Sequence, residues 1–270
     1  MNEQSGTNLA TDLLSGRRAV VTGGGTGIGR AVCRKLAAAG AAVAVTDLNG
    51  EWAAAVAEEI VSNGGRAWSG ALDVTNGAAA RRVFSAAAEA LGGLNVACLN
   101  AGVSTMKRVE DLDPERDWDF NMNVNAKGIF LCTQAALPHL KASGGGTIIA
   151  TASAAGLRPA PLLSHYSASK FAVVGWIKSI AVELAPYHIT CNCVCPGYVR
   201  TSMQERELVW EANLRGMTPQ EVADEYVRLT PLGRLEEPED VADAYVYLAS
   251  PLAGFLTGVA LPTTGGMDLI

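Results

Sequence analysis

The sequence predicts a single α/β domain in which a doubly wound parallel sheet is covered by helices on both faces. Strand-like and helix-like segments alternate along the chain, which is typical of repeated βα units. The strand-like segments are continuous apolar runs, such as 42–46, and such runs indicate strands buried on both faces. A length of 270 residues with 49% hydrophobic residues suits one large core, so we expect residues 1–270 to form one domain.

Glycines and prolines mark the breaks between the predicted elements. Gly40, Gly64 and Gly92 begin the breaks that end the first three predicted helices. Pro114 and Pro238 stand where a first helical turn tolerates proline. The predicted strands are 18–22, 42–46, 66–72, 94–99, 147–151, 188–194 and 259–261. The predicted helices are 28–39, 51–62, 76–91, 114–141, 163–185 and 238–249.

Two segments lie outside this alternation. The polar start of the chain, 1–12, is expected to be a flexible arm, because it lacks the basic and apolar regions of a signal peptide. Residues 201–235 are polar and are expected to be helical in pieces. They are inserted between a predicted strand and the last predicted helix, so we interpret them as a lid over a substrate.

Charge and cysteine content exclude several classes of function. The 21 basic and 27 acidic residues give a net charge of −6, which argues against electrostatic binding of nucleic acid. No stretch approaches the roughly 18 consecutive apolar residues of a membrane span, so no membrane association is expected. The six cysteines fit no disulfide framework, so we expect the cytoplasm. Cys191, Cys193 and Cys195 alternate onto one buried strand face, and no metal site is expected.

A glycine-rich segment, Thr22-Gly-Gly-Gly-Thr-Gly-Ile-Gly29, joins the first predicted strand to the first predicted helix. Glycines here let the backbone approach a phosphate, and the helix N-terminus offers free N–H groups. The strict G-x-G-x-x-G pattern is not met, so a plain glycine-rich turn is the alternative. The candidate cofactor-binding residues in this segment are Gly23, Thr26, Gly27, Ile28 and Gly29.

Polar residues follow the next three predicted strands. Asp47 ends the second strand, where an acid can accept hydrogen bonds from both ribose hydroxyls of an adenosine and repel a 2′-phosphate. An ordinary turn residue is the alternative for Asp47, and a helix N-cap or turn role is the alternative for Asp73. The candidate cofactor-binding residues of this group are Asp47, Leu48, Asp73, Val74, Asn100, Ala101 and Gly102.

The strongest chemical signal is Tyr166-Ser-Ala-Ser-Lys170, because residues at i and i+4 share one face of a helix. A nearby ammonium favours the phenolate, so Lys170, together with a positively charged nicotinamide ring, is expected to lower the pKa of Tyr166 and suit it to acid/base catalysis. Ser153 ends the fifth predicted strand and could hydrogen-bond the substrate oxygen. A surface Tyr/Lys pair is the alternative, and the glycine-rich segment upstream argues against it.

Together these motifs resemble the classical short-chain dehydrogenases/reductases. Gly23, Gly27 and Gly29 match that family's T-G-x-x-x-G-x-G, and the Tyr166 to Lys170 segment matches its Y-x-x-x-K. The resemblance extends from about residue 13 to residue 267. It implies a Rossmann-type sheet of about seven strands in the order 3-2-1-4-5-6-7.

The resemblance also implies roles for particular residues. It implies a catalytic tetrad of Asn125, Ser153, Tyr166 and Lys170, in which Asn125 distorts the long helix and supports a proton relay. It implies that Tyr166 and Lys170 contact the cofactor as well. The segment from Pro196 matches P-G-x-x-x-T, which in the family flanks the nicotinamide. The cofactor contacts implied there are Pro196, Gly197, Val199 and Thr201.

The expected substrate side carries no legible motif. Arg158 could meet an anionic substrate group or be solvated surface, and His165 could line the substrate mouth or simply be packed. Tyr198, Met203 and Trp210 could close the lid over the substrate or pack the lid onto the body. The candidate substrate contacts are therefore Ser153, Arg158, His165, Tyr198, Met203 and Trp210.

These expectations describe an NAD-dependent oxidoreductase that interconverts a secondary alcohol (polyol, sugar-derived or small cyclic) and its ketone. NAD is favoured over NADP because Leu48 follows Asp47 and because Thr26 replaces the Lys or Arg of NADP-using relatives. The alternatives are a 3-oxoacyl thioester reductase using NADPH and a non-catalytic NAD-binding regulator. The resemblance implies a homotetramer with helices 114–141 and 163–185 at its interfaces.

Overall fold

The computed structural model describes residues 12–269, so all of the predicted arm except Asp12 lies outside the described residues. The strands form one seven-stranded parallel sheet in the order β3-β2-β1-β4-β5-β6-β7. This result confirms the predicted fold class and strand order. The strands are β1 Arg18–Thr22, β2 Ala42–Asp47, β3 Arg66–Ala71, β4 Val96–Leu99, β5 Gly146–Thr151, β6 Ile189–Pro196 and β7 Ala260–Thr263.

The α-helices found within residues 12–269 cover both faces of the sheet and form the lid. They are α1 Gly27–Ala38, α2 Gly50–Ser62, α3 Gly77–Leu91, α4 Gly128–Ala142, α5 Ser164–Leu184, α6 Ser202–Arg215, α7 Pro219–Arg228 and α8 Pro238–Ala249. The glycines and prolines at the breaks therefore locate the helix ends well, and α8 matches its prediction to the residue.

The prediction of one regular helix over 114–141 is wrong in its first half. Two π-helical segments, Pro114–Asp119 and Met122–Lys127, precede α4. Between them the side-chain amide of Asn121 donates to the carbonyl oxygen of Asp117 at 2.8 Å. A regular helix satisfies that carbonyl from the backbone N–H four residues later, so this side chain competes with the helical ladder. Such widened turns occur often at functional sites.

Two hydrophobic cores lie on opposite faces of the sheet, as the alternation of side chains along a strand requires. In β1, Val20 joins the core on the side of α3, α4 and α5, whereas Ala19 and Val21 join the core on the side of α1, α2 and α8. The predicted common face of the β6 cysteines is confirmed, because all three are fully buried in the first of these cores. All six cysteines carry free thiols.

The segment predicted to be a lid contains α6 and α7, which contact each other and enclose a small apolar cluster of their own. Ala212, Val222, Tyr226 and Leu235 are the buried members of this cluster. Because the cluster is separate from the two main cores, the lid is packed as a distinct unit over the carboxyl ends of the strands.

No helix within residues 12–269 is long and apolar enough to cross a lipid bilayer. The same part of the chain holds no cluster of three or more His, Cys, Asp or Glu side chains arranged to bind a metal ion.

Candidate active site

A cavity of about 850 Å³ runs along the carboxyl ends of the strands. It begins at the turn after β1, passes the ends of β2, β4, β5 and β6, and extends beneath α6 and α7. The strand order reverses between β1 and β4, and open parallel sheets bind ligands at such a switch point. Every residue predicted to bind the cofactor lines this cavity.

The glycine-rich turn can accept a phosphate because side chains are excluded from it. A Cβ atom on Gly29 would overlap the carbonyl oxygen of Gly23, and a Cβ atom on Gly23 would lie 2.8 Å from the Cα atom of Ala101. Gly23 also has a φ of +63°, which favours glycine. The N-cap residue Thr26 makes no side-chain cap bond, so the first N–H groups of α1 stay available to an anion.

The amide of Asn100 ties this turn to the centre of the sheet. Its Nδ2 donates to the carbonyl oxygens of Thr22 and Gly23, each at 3.1 Å. Its Oδ1 accepts from the hydroxyl of Thr151, at the end of β5, at 2.9 Å. The side chain of this predicted cofactor residue is therefore committed to holding the turn against β4 and β5.

The carboxyl group at the end of β2 is held by backbone donors. Asp47 Oδ2 accepts from the N–H of Gly25 and Oδ1 accepts from the N–H of Asn49, both at 3.0 Å. Leu48 and Trp52 line the cavity beside it. Asp73 lines the cavity too, but its Oδ1 accepts from the N–H and hydroxyl of Thr75. Asp73 thus also serves the turn role that was its alternative.

Ser153, Tyr166 and Lys170 meet at the inner end of the cavity. The ammonium nitrogen of Lys170 lies 5.6 Å from the centroid of the Tyr166 ring and donates to the carbonyl oxygen of Thr151 at 2.9 Å. The hydroxyl of Ser153 interacts with the phenol of Tyr166 and lowers its pKa. The helical spacing of Tyr166 and Lys170 and the strand end carrying Ser153 therefore bring the three groups together.

The pKa of Tyr166 in the chain without cofactor is set mainly by burial. Burial raises the pKa of Tyr166, and the negative charge of Glu207 raises it further, which together outweigh the effect of Ser153. The lowering of this pKa expected from Lys170 and the nicotinamide charge together concerns the chain with its cofactor bound and stays a prediction. Burial also lowers the pKa of Lys170 to about 8, so its positive charge weakens in mild alkali. The phenol thus keeps its proton at neutral pH.

Asn125 lies one layer behind the cavity, in the second π-helical segment. Its Oδ1 accepts from the N–H of Val103 at 2.8 Å, and its Nδ2 donates to the carbonyl oxygen of Val103 and to the hydroxyl of Ser169, each at 2.9 Å. A Cβ atom on Gly102 would lie 3.3 Å from both Asn125 Oδ1 and Lys170 Nζ. Asn125 and Lys170 therefore both border the space beside Gly102 that a larger side chain would fill.

The Pro-Gly turn after β6 is clamped by a carboxyl group that sequence reasoning missed. Glu236 Oε2 accepts from the N–H of Gly197 at 2.9 Å, its backbone N–H donates to the carbonyl oxygen of Tyr198 at 2.9 Å, and its carbonyl oxygen accepts from the N–H of Arg200 at 2.8 Å. Glu236 is buried, which raises its pKa to about 7. No pattern in the sequence marked this residue.

The predicted substrate residues divide into two groups. Ser153, Arg158, Tyr198 and Met203 line the cavity. Arg158 is held there by donating to the carbonyl oxygen and to the sulfur of Met267.

His165 and Trp210 are absent from the cavity wall. His165 is fully buried, with Nε2 2.7 Å from the hydroxyl of Thr105, because adjacent helical residues face apart. Trp210 lies off the face of α6 that meets the cavity. That face carries Met203, Glu207, Glu211 and Arg215, which are four residues apart.

Sequence reasoning also missed the charged groups of the lid. The charged lid residues that line the cavity are Arg206, Glu207, Glu211, Arg215 and Glu225. The four-residue spacing on α6 could have indicated a shared face, but polar residues on a lid ordinarily face solvent.

Residues 17–212 match the family model described as short chain dehydrogenase. The chain belongs to the short-chain dehydrogenase family. It is 40% identical over 253 residues to a 4-formylbenzenesulfonate dehydrogenase from Comamonas testosteroni, which covers 93% of this chain and 97% of the relative. It is 36% identical over 260 residues to a (3R)-3-hydroxyacyl-CoA dehydrogenase from Mus musculus, covering 92% of this chain and 95% of the relative.

The crystal structure of levodione reductase superposes on this short-chain dehydrogenase with a TM-score of 0.89 at 28% identity, covering 95% of this chain and 99% of the other. Two of these proteins are named as dehydrogenases and one as a reductase, and their names give different substrates. Short-chain dehydrogenases are oxidoreductases that bind NAD(P), and the side-chain-free glycine turn with free helical N–H groups fits the phosphates of that cofactor.

Replacing Glu236 by Gln is expected to stabilise the short-chain dehydrogenase increasingly as the pH rises. The folded chain keeps the Glu236 proton up to a pH of about 7, whereas the ordinary pKa is 4.5. The wild type therefore loses stability between these pH values, while Gln, which cannot ionise, does not. Urea unfolding at pH 5 and pH 8 should show Glu236→Gln gaining about 2–4 kcal/mol on the wild type over this interval.

The control is Glu239→Gln, at an exposed position three residues further along the chain. It should leave the pH dependence of unfolding unchanged. A stability difference between wild type and Glu236→Gln that is constant with pH would contradict the assignment.

Proposed function

We propose that this short-chain dehydrogenase interconverts a secondary alcohol and its ketone, with NAD as the hydride carrier. The observation that carries the proposal is the meeting of Ser153, Tyr166 and Lys170 at the inner end of a cavity whose other end holds the glycine turn and Asp47. A proton-transfer group and a dinucleotide cradle then share one enclosed space, as hydride transfer requires.

Each side chain has a role that follows from its contacts. Tyr166 donates the proton to the ketone oxygen or removes it from the alcohol, and its raised pKa favours the protonated form for reduction. Ser153 orients the substrate oxygen. Lys170 holds positive charge near the phenol, and Asn125 supports the proton relay from behind Gly102. The cofactor, when bound, supplies the hydride or accepts it.

The preference for NAD rests on the end of β2. Asp47 places a carboxyl group on the cavity wall, and the neighbouring lining residues Leu48 and Trp52 are uncharged. A carboxylate accepts hydrogen bonds from ribose hydroxyls and repels a 2′-phosphate. Both features support NAD over NADP.

Two alternatives remain distinct hypotheses. The first is a 3-oxoacyl thioester reductase using NADPH. The murine relative, which is named for a CoA thioester substrate, supports this alternative. A higher catalytic efficiency with NADPH than with NADH would favour it. A non-catalytic NAD-binding regulator is the second, and the presence of all four tetrad residues argues against it. The homotetramer and the cytoplasmic location stay predictions.

Tyr166→Phe is expected to lower kcat/KM for NAD reduction by about a hundredfold or more, because a positioned acid/base group contributes about 10²–10⁴ in rate. The wild type is first screened with NAD over secondary alcohols, polyols and hydroxy acids, and the best substrate is used for the variant. NADH binding, measured by fluorescence titration, should be retained because the aromatic ring is kept.

Tyr187→Phe is the matched control, since Tyr187 is half-exposed beyond the end of α5. It should behave as the wild type. Near-normal turnover in Tyr166→Phe would contradict the assignment of Tyr166 as the acid/base group.

Asp47→Asn is expected to shift the ratio of kcat/KM for NAD over NADP towards NADP by about tenfold, equivalent to about 1.4 kcal/mol. The substitution removes the charge that repels a 2′-phosphate and keeps a side chain of the same shape. Asp111→Ala, at an exposed position away from the cavity lining, should leave the ratio unchanged. An unchanged ratio in Asp47→Asn would reject Asp47 as the residue that selects the cofactor.

A further inference from the structure

The wall of the cavity beneath the lid carries equal numbers of cationic and anionic side chains. Three arginines and three glutamates line this end, and the charges balance. They are Arg158, Arg206, Arg215, Glu207, Glu211 and Glu225. A balanced wall gives no net attraction to a substrate of either charge, so individual side chains decide what is bound.

Two of the three glutamates are committed to partners within the lid. Arg215 donates to Glu211 Oε1 and to Glu225 Oε2, each at 2.6 Å. The hydroxyl of Tyr226 donates to the other oxygen of Glu211, and the ring of Tyr226 stacks on Tyr198 with centroids 3.7 Å apart. This network holds the outer wall of the cavity in place, and the carboxylates of Glu211 and Glu225 are both paired within it.

Glu207 differs from these two glutamates, because it forms no ion pair with any residue from 12 to 269. It lines the same cavity as Tyr166, and its negative charge raises the pKa of that tyrosine. Burial raises the pKa of Glu207, whereas the hydroxyl of Ser104 and the charge of Arg206 lower it and the charge of Glu211 raises it.

Ser104, in the loop after β4, is a polar neighbour of the Glu207 carboxyl group. Its side chain is buried, and its hydroxyl oxygen has no partner at full hydrogen-bond distance among the described residues. Its influence on Glu207 nevertheless places the hydroxyl next to that carboxyl group. One hydroxyl does not fill both oxygens of a carboxylate, so Glu207 keeps acceptor capacity for a ligand in the cavity.

We propose that Glu207, supported by Ser104, binds a second hydroxyl group of the substrate, so that the enzyme acts on neutral diols in preference to simple alcohols. The inference rests on the proposed function and names the substrate class of that same site. Glu207 is the specificity-determining residue: its carboxylate accepts the hydrogen bond of the second hydroxyl while Tyr166 and Ser153 hold the reacting one.

Charge decides between the possible donors. An ammonium group would pair with Glu207 but would also meet the positive charge of Arg206, the next residue of α6, which lines the same cavity. An anionic group would be repelled by Glu207 next to the reacting centre. A neutral hydroxyl satisfies the carboxylate without adding charge to a balanced wall, so a diol fits better than an amino alcohol or a hydroxy acid.

The test compares trans-1,2-cyclohexanediol, cyclohexanol and trans-2-aminocyclohexanol as substrates with NAD. The wild type should show a kcat/KM for the diol about tenfold or more above that for cyclohexanol. Glu207→Leu should reduce this ratio to near one by lowering the efficiency with the diol. The matched control is Glu205→Gln, on the exposed side of α6, which should keep the wild-type ratio.

The pH profile of Glu207→Gln distinguishes an electrostatic role of Glu207 from a purely structural one. Removing this charge takes away one cause of the raised pKa of Tyr166, so the acid limb of the kcat/KM profile for alcohol oxidation should shift to lower pH. A diol-to-cyclohexanol ratio that Glu207→Leu leaves unchanged, or a wild-type preference for the amino alcohol, would overturn the proposal.

Binding measured without turnover distinguishes failure of the Glu207 subsite from failure of the proposed function. If the wild type reduces NAD with none of the three alcohols, saturation-transfer NMR compares their binding directly. About tenfold tighter binding of the diol than of cyclohexanol, lost in Glu207→Leu, would support the subsite. Equal binding of the two alcohols would reject it.

Discussion

The side-chain amide of Asn100 is the interaction on which the site depends. It holds the carbonyl oxygens of Thr22 and Gly23 on one side and the hydroxyl of Thr151 on the other. The carbonyl oxygen of Thr151 in turn accepts from the ammonium group of Lys170. One chain of hydrogen bonds therefore joins the turn that fits a phosphate to the helix that carries Tyr166, the proposed acid/base group. Removing its centre would leave buried carbonyl groups unpaired, which is costly.

The pKa values of Tyr166 and Lys170 determine how easily a proton leaves or reaches this part of the cavity. Burial and Glu207 both raise the pKa of the phenol, and burial lowers the pKa of Lys170 to about 8. A phenol that keeps its proton suits delivery of a proton to a ketone, whereas alcohol oxidation needs positive charge nearby to release it. The same glutamate that resists release of the proton is the one we assign to the substrate, so ligand binding and proton transfer are coupled at one carboxylate.

The sequence predicted most of the fold because its signals were local. Apolar runs ended by glycine located the strands, and the spacing of Tyr166 and Lys170 predicted their shared helix face correctly. What failed depended on side chains competing with the backbone or on distant partners. The amide of Asn121 competes with the backbone in a helix that periodicity predicts to be regular and that contains two π-helical segments. Glu236 contacts a turn that is distant in the chain, and Glu207 acts on a distant tyrosine. No short sequence pattern predicts either interaction.

The most direct test of this account is to measure both NADH affinity and turnover in Asn100→Ala, with Asn213→Ala, at an exposed lid position, as the control. Turnover is measured with the secondary alcohol that the wild type oxidises fastest. If the amide joins the phosphate turn to Lys170, the dissociation constant for NADH should rise about tenfold or more. The kcat at saturating NAD should also fall by about tenfold or more, and the control should change neither. NADH affinity and kcat both within about threefold of the wild type in Asn100→Ala would contradict the account.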